Sequence, residues 1–476
     1  MKVRNWLVLV VLFLVVIALA DSVYGQAEPL PGPKYHNLRY EENFSYLGGA
    51  PGTYQEDAWD PLKWIGLGDD WYLTLGGQAR LRFESEQNKA FGGIPPTKIK
   101  PSQDAFLLQR YFIHGDLKYD DWLRFFLQGK FAHVNDRDRA GGLAGMEDHA
   151  DIHQAFVDFT TLIMENQVTF RLGRQELQYG AQRLISPLDW GNTRRTFDGV
   201  KAFTEWEEWR LDAFAIRPVL GDRRNLDDED ENVDFYGLYS TYKGTKELAA
   251  DFYCLVLKNN NILPNSNGTM GRRTLYTPGT RLWGARENWD YEAELAVQFG
   301  TFAGDRVRAW MGTVGGGYTF TDCAWQSRLG LLYDYASGDN NPTDGTHETF
   351  NQHYPLGHAW LGYLDLVGRS NIHAIKAQVK VKPCKNVTAW ADFHTFYADQ
   401  DEDALYSAGG AVTRRLATGA GSQSIGHELD LTAKVVLDVH TAVLMGYAYM
   451  WPGEFIDATG DNDNPSLIYA QIEYKF

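Results

Sequence analysis

The sequence predicts an all-β fold: a transmembrane antiparallel β-barrel of about eighteen strands, with long extracellular loops and short periplasmic turns. Three observations carry this expectation. Residues 71–86, WYLTLGGQARLRFESE, place Trp71, Leu73, Leu75, Ala79, Leu81 and Phe83 on one parity, and Gln78, Arg80, Arg82, Glu84 and Glu86 on the other. Successive side chains of a strand point to opposite faces, so the segment has one apolar and one charged face. It also outlasts the usual strand of a soluble protein and suits a tilted crossing of lipid, which needs roughly 9–11 residues. Segments of this kind recur to the C-terminus, and the connections between them alternate between long and very short.

Composition agrees. Hydrophobic residues make up 44% of the 476 and the mean hydropathy is −0.38, too polar for a bundle of membrane helices. Aromatic residues at 14% and 47 glycines suit interfacial girdles and closely approaching strands. The one continuous apolar run, residues 6–20, follows Lys2 and Arg4 and precedes Val23, Tyr24 and Gly25. It is shorter than the roughly 20 residues of a spanning helix and reads as a secretory signal peptide over residues 1–25, which makes the protein an exported one. Residues 26–70, rich in proline and glycine, are expected as a periplasmic N-terminal segment, with the barrel over 71–476.

After the first strand, 105–119 carries Arg110, His114, Asp116 and Lys118 on one parity. Asp120 and Asp121 form a tight turn into 122–134, where Leu123, Phe125, Leu127 and Phe131 oppose Arg124, Gln128 and Lys130. Residues 151–161 and 167–177 continue the pattern. Alternation is less regular in 198–205, 209–219, 233–242, 247–258 and 272–285. It is clean again in 289–302, where Trp289, Tyr291, Ala293, Leu295, Val297 and Phe299 oppose Asp290, Glu292, Glu294 and Gln298. Then follow 305–320, 323–336, 371–382, 386–397, 425–437, 440–451 and 466–476. Loops after odd-numbered strands are mostly long and polar, as at 87–104, 135–150, 178–197, 337–370 and 398–424. Turns after even-numbered strands are short, as at 243–246 and 383–385. One exception, the near-absent loop after Phe302, leaves the register there open. The last strand aligns Ile468, Ala470, Ile472, Tyr474 and the terminal Phe476, which resembles the signal that hands outer-membrane barrels to their assembly machinery.

Arginine or lysine on the lipid face near the midplane costs about 2–4 kcal/mol, so the charged parity must face a wet lumen. The formal charge of −17 argues against nucleic acid as a partner. Three cysteines imply no disulfide framework. Cys254 reads as a lone buried thiol, and pairing of Cys323 with Cys384, at the same end of neighbouring strands, stays open.

Two stretches, RLGRQELQYGAQRLISPLDWGNTRRTFDGVK (171–201) and the span 336–383 with ASGDNNPTDGTHETF and YPLGHAWLGYLDLVGRSNIHAIK, resemble the alginate-export family of outer-membrane porins. The resemblance implies a monomeric eighteen-stranded barrel that passes an anionic polyuronate through a basic pore, in the outer membrane of a Gram-negative bacterium. A polyanion pore needs cations at its narrowest level, where low-dielectric walls focus the field. Arginine suits a carboxylate through its bidentate fork. Mid-strand positions on the lumen parity give Arg80, Arg110, Lys130, Arg171, Arg328 and Lys376. Arg82, Arg124 and Lys118 extend the set over the first five strands. Later strands carry Asp290, Glu292, Glu294, Asp334, Asp392, Glu428 and Asp430, so a basic wall is expected to face an acidic one. Arg174, Arg183, Arg194 and Arg195 belong to the family-like loop, which either folds inward as a constriction or lines the outer mouth.

Other patterns carry less. The acidic stretches 222–232 and 457–464 do not fit EF-hand spacing and read as solvated loop tips. His347, His353 and His358 match no zinc pattern, and Gly315–Gly317 has no following helix to make a phosphate loop. With no nucleophile elbow and no HExxH, no enzyme, metal or cofactor is expected. The expected partners are an anionic polysaccharide or small organic anion, outer-membrane lipid and the barrel assembly machinery. Whether periplasmic export partners dock on the short turns stays open. The alternative function is a general, weakly selective porin for small solutes.

Overall fold

The computed structural model describes residues 32–476 except 51, 95–96, 140–144 and 417; the signal peptide lies outside the described residues. Eighteen strands of 9 to 17 residues form the wall: β1 (Trp71–Gln87), β2 (Gln103–Tyr119), β3 (Leu123–Asn135), β4 (Asp148–Ile163), β5 (Asn166–Gln175), β6 (Phe197–Trp206), β7 (Trp209–Leu220), β8 (Val233–Tyr242), β9 (Ala249–Pro264), β10 (Met270–Arg286), β11 (Trp289–Phe302), β12 (Asp305–Thr319), β13 (Arg328–Ala336), β14 (Ile372–Cys384), β15 (Val387–Tyr397), β16 (Ser424–Val436), β17 (Thr441–Pro452) and β18 (Ser466–Lys475). Each pairs antiparallel with its sequence neighbours. β18 returns to β1 with Gln78 opposite Lys475 and Gln87 opposite Ser466, so the sheet closes and no edge is left unpaired.

The parity expected from the sequence is the parity observed. Leu81, Phe83, Ile113, Phe125, Leu127, Leu295, Val297 and Phe299 are exposed on the outer face, while Arg80, Arg82, Arg110, Gln128, Lys130, Glu294 and Gln298 are buried inside. At the short-turn end, Trp71 packs on Tyr119, Trp122 on Phe159, Trp209 on Tyr242 and Trp289 on Tyr318, with ring centroids 4.8 to 5.7 Å apart. These amphipathic rings form the interfacial girdle. The hairpin after Phe302 keeps its register: Phe302 faces Asp305, and Ala303 and Gly304 both take positive φ, as a two-residue turn of this twist requires.

Two expectations are corrected, and the open question of the Cys323–Cys384 pair is answered. Cys254 is not buried in protein; it lies on the outer face beside Leu238 and Val256, facing acyl chains. Cys323 sits in the turn before β13, and Cys384 donates its thiol to Asn386 Oδ1 at 3.1 Å, so both are free. Asp227, within the expected solvated tip 222–232, folds inward and is 7% exposed, because Lys130 draws it to 3.0 Å.

The described N-terminal residues enter the lumen from the short-turn end. Arg39 donates to the carbonyls of Gly77 (2.7 Å) and Phe476 (2.9 Å). Tyr40 Oη donates to the Glu176 carbonyl at 3.0 Å, and the Tyr40 ring lies 4.1 Å from the Arg171 guanidinium. Farther along, Trp59 stacks on Phe476 at 4.2 Å and donates its indole N–H to Tyr474 Oη at 2.7 Å.

Because the outer face meets lipid, Ile113→Arg, at the most exposed large side chain of β2, is expected to destabilise the barrel by about 2–4 kcal/mol. Urea unfolding in liposomes checks this; a neutral substitution would place that face against protein or water.

Candidate functional site

The lumen is not an open tube. Residues 176–196, between β5 and β6, fold inward and cross it. On one side Arg80 donates to the carbonyls of Asp189 (2.7 Å) and Gly191 (3.0 Å), and Arg82 to that of Trp190 (2.7 Å). Arg110 adds an ion pair to Asp189 at 2.8 Å. On the far side Arg183 reaches Glu292 (2.6 Å) and Glu294 (3.1 Å) on β11. Arg194 binds Asp189 at 2.7 Å and also pairs with Glu176, closing the loop on itself. Burial pushes the Glu176 carboxyl up, but Arg194 and His153 outweigh it and hold the group below the usual carboxylate range. Arg195 donates to the Ser186 carbonyl at 3.1 Å and lies over Tyr354.

A second inward loop, residues 337–371 between β13 and β14, lies against the first. The N–H groups of Tyr354 and Leu356 donate to the carbonyls of Leu184 and Gln182, each at 2.9 Å, and Trp360 Nε1 donates to the Ala181 carbonyl at 3.0 Å. Its outer side is held by acids. Leu364 N–H donates to Glu428 at 3.0 Å, Tyr363 N–H to Asp430 at 3.3 Å, and Arg369 pairs with Asp334. Gly362 makes the first of these possible: its φ is +91°, and a Cβ there would strike the Glu428 carboxylate.

The two walls therefore sort the loops by polarity. The basic wall takes carbonyl oxygens and Asp189, whereas the acidic wall takes N–H groups and the loop arginines. Removing one partner of such a buried pair costs about 3–5 kcal/mol, since the other charge is left uncompensated. Where the loops meet, Trp190, His358 and Tyr363 stack in succession at 3.7 and 4.2 Å, and the Arg82 guanidinium caps the stack 3.8 Å from Trp190.

The remaining expected site residues are placed as follows. Arg124 binds Asp116 (2.6 Å), Arg171 binds Asp158 (2.7 Å), Arg174 binds Asp198 (2.8 Å) and Arg328 binds Asp290 through Nε (2.7 Å). Lys130 is enclosed by Asp148 (2.6 Å) and Asp227 (3.0 Å). Lys376 donates to the Ala359 carbonyl at 3.4 Å over the Trp360 ring. Arg80, Arg82 and Arg110 converge on the crossing loop, while the other six are spread around the wall. Sequence reasoning missed Lys201, which pairs with Asp212 (2.9 Å), and Arg210, which bridges Asp212 and Glu205. Their irregular segments hid the parity.

Two openings flank the crossing loop. At the short-turn end a chamber of about 520 Å³ is lined by Lys118, Arg124, Arg171, Lys201 and Arg210, by the acids Glu41, Asp120, Asp121, Asp158 and Asp212, and by Tyr40, Trp122, Tyr179, Phe203 and Tyr239. Toward the long loops a recess of about 190 Å³ is lined by Arg82, Glu84, Glu86, Trp190, Tyr363 and Asp365.

Burial lowers His347 to about 4 and His353 to about 3, and neighbouring Arg273 reinforces both shifts. A released loop would protonate them near 6.5, so the stability they lend is complete above that pH and is lost on acidification toward 4. Asp339, raised to about 6 mainly by burial, works the other way between about 4 and 6. Two groups outweigh one, so the second loop is expected to loosen as pH falls from about 6.5 to 4. Amide exchange across residues 345–371 should accelerate over that window; unchanged protection would refute it.

Solved structures from Pseudomonas aeruginosa share this architecture. OccK8 (OprE) superposes with a TM-score of 0.56 at 12% identity, over 85% of this chain and 98% of that one. The outer membrane protein OprD gives 0.55 at 12% identity, over 87% and 94%. OccK11 (OpdR) gives 0.53 at 11% identity, over 87% and 100%. At such identities the likeness is one of fold. No curated protein matches the chain. The sequence profile of the alginate export family matches residues 71–470. The chain belongs to the alginate export family, as an eighteen-stranded β-barrel channel of the Gram-negative outer membrane.

Proposed function

We propose that this channel passes an anionic polysaccharide of the uronate type, taken up from the chamber at the short-turn end and admitted past the crossing loop when that loop shifts. The observation that carries the reading is the chamber itself, where five cations and five aromatic rings, interleaved with five carboxylates, line one space. Cations meet the carboxylates of a uronate, and aromatic faces suit the apolar faces of sugar rings. Beyond the chamber, Arg80, Arg82 and Arg110 lie behind the loop carbonyls they hold. A displaced loop would bare all three as the basic constriction, with Arg124, Lys130, Arg171, Arg174, Arg328 and Lys376 on the surrounding wall. The process needs no covalent chemistry, so the protein acts as a conduit and not as an enzyme.

A second reading, a weakly selective porin for small solutes, is favoured by the pairing of most of these cations. Asp116, Asp158, Asp198 and Asp290 each neutralise an arginine that would otherwise attract an anion.

Planar-bilayer recording under a salt gradient separates the two. The first reading expects an anion-favouring reversal potential, block by uronate oligomers added on the short-turn side, and weaker block in Arg124→Ala and Arg210→Ala. Unselective currents, indifferent to oligomers and to both substitutions, would establish the porin reading instead.

A further inference from the structure

The rim of the β3–β4 hairpin holds a constellation that the channel reading leaves unused. His133 near the outer end of β3, Glu147 directly before β4 and His149 within it each bring one donor atom, all within 4.8 Å of one another. His133 Nδ1 lies 2.9 Å and His149 Nε2 3.8 Å from Glu147 Oε1, with the two imidazoles 5.4 Å apart between centroids. His133 Nδ1 is buried yet makes no hydrogen bond, so its short approach to the carboxylate is off the axis that a shared proton requires. The Glu147 carboxylate is 6% exposed and meets the guanidinium of Arg223, which reaches over from the loop after β7 with 40% of its side chain in solvent.

We propose that His133, Glu147 and His149 form a binding site for a divalent transition metal of the zinc class at the extracellular mouth. Zinc bonds imidazole nitrogen at about 2.0–2.1 Å and carboxylate oxygen at about 2.0–2.2 Å, which sets tetrahedral ligand atoms roughly 3.3 Å apart. The observed separations bracket that value, and small rotations of two half-exposed imidazoles close the difference. Two nitrogens and one oxygen select a borderline metal over calcium or magnesium, which take oxygen sets. Three protein ligands leave the fourth position to water. Arg223 occupies the place of the metal's charge and has to swing outward on binding, as its exposure permits. A nearby acidic group offers a contrast: Asp148, Asp151 and Asp227 converge equally closely, but the Lys130 ammonium already stands within 2.6 to 3.9 Å of all three and Arg174 3.5 Å from Asp151, so protein cations occupy the place of an ion.

The site is coupled to the crossing loop. Asn192 of that loop donates its amide to the backbone carbonyls of Met146 (2.8 Å), Gln109 (3.0 Å) and His133 (3.3 Å). A metal joining His133 to Glu147 and His149 stiffens the rim on which Asn192 hangs.

Isothermal titration of the purified, full-length barrel in detergent, free of any polyhistidine tag, tests the site with zinc alone. One equivalent is expected to bind. Since losing even an outer-shell partner costs about 10–100-fold in affinity, His133→Gln and His149→Asn should each weaken binding by at least tenfold. Arg223→Ala should tighten it, because the competing cation is gone. Cobalt in place of zinc should give an intense visible band, as four-coordinate cobalt does, and His149→Asn should abolish it. The exposed position of His149 makes that variant safe for folding, and heat-modifiable mobility on gels checks it. Absence of stoichiometric binding, binding indifferent to both histidine substitutions, or weaker binding in Arg223→Ala would each overturn the proposal.

Discussion

Lipid bars charge from the outside of this barrel, and the rest of the structure follows from that constraint. Eighteen strands crossing a membrane must send nearly every ionisable side chain inward, so the lumen collects far more charge than water alone can separate. Both signs occur around the whole wall, but at the level of the crossing loop Arg80, Arg82 and Arg110 of β1 and β2 cluster on one side, and Glu292 and Glu294 of β11 with Asp334 of β13 and Glu428 and Asp430 of β16 cluster on the other. A cavity with a basic cluster facing an acidic one attracts anything that presents both signs. A peptide loop does so: its carbonyls and N–H groups are dipoles, and its own arginines and aspartates add full charges.

The two inward loops meet that demand. Arg80, Arg82 and Arg110 grip the carbonyls of residues 189–191, while Glu292, Glu294, Asp334, Glu428 and Asp430 hold Arg183, Arg369 and the N–H groups of Tyr363 and Leu364. The lumen is therefore crossed by chain as well as by side chains projecting from the wall. This sets what Arg80, Arg82 and Arg110 do in the conformation described here: they hold the loop through its carbonyls and Asp189. On the proposed reading, a uronate carboxylate would compete for Arg110 with the Asp189 carboxylate that it holds here.

Much of this was legible in the sequence, for a physical reason. Lipid enforces period two, so wherever the pattern is unbroken, as in 71–86 and 289–302, strand, face and register follow directly. Where an apolar run is continuous, as at Phe252-Tyr253-Cys254-Leu255-Val256-Leu257, parity vanishes, and Cys254 was placed inside when it faces out. The cations of β1 and β2 and the carboxylates of β11 and β16 were readable on their strands, but the expected basic wall is not uniform, since Asp104, Asp148 and Asp151 are buried among the first five strands as well. The partners were not: nothing in a loop's sequence fixes the direction in which it folds, and the match of Arg183 to Glu292 and Glu294 spans 109 and 111 residues. Asp227 deceived for the same reason, since an acidic tip reads as solvated until Lys130 is brought beneath it.

The central claim is that opposing clusters of arginines and carboxylates hold the crossing loop across the lumen. Single-channel conductance of Arg183→Ala in a planar bilayer tests it most directly, because that substitution cuts the ion-paired tether to Glu292 and Glu294 of β11 and leaves the wall intact. The account predicts a larger and noisier conductance than that of the unsubstituted channel, with the barrel still folded by its heat-modifiable mobility on gels. A folded Arg183→Ala barrel with unaltered conductance would contradict it.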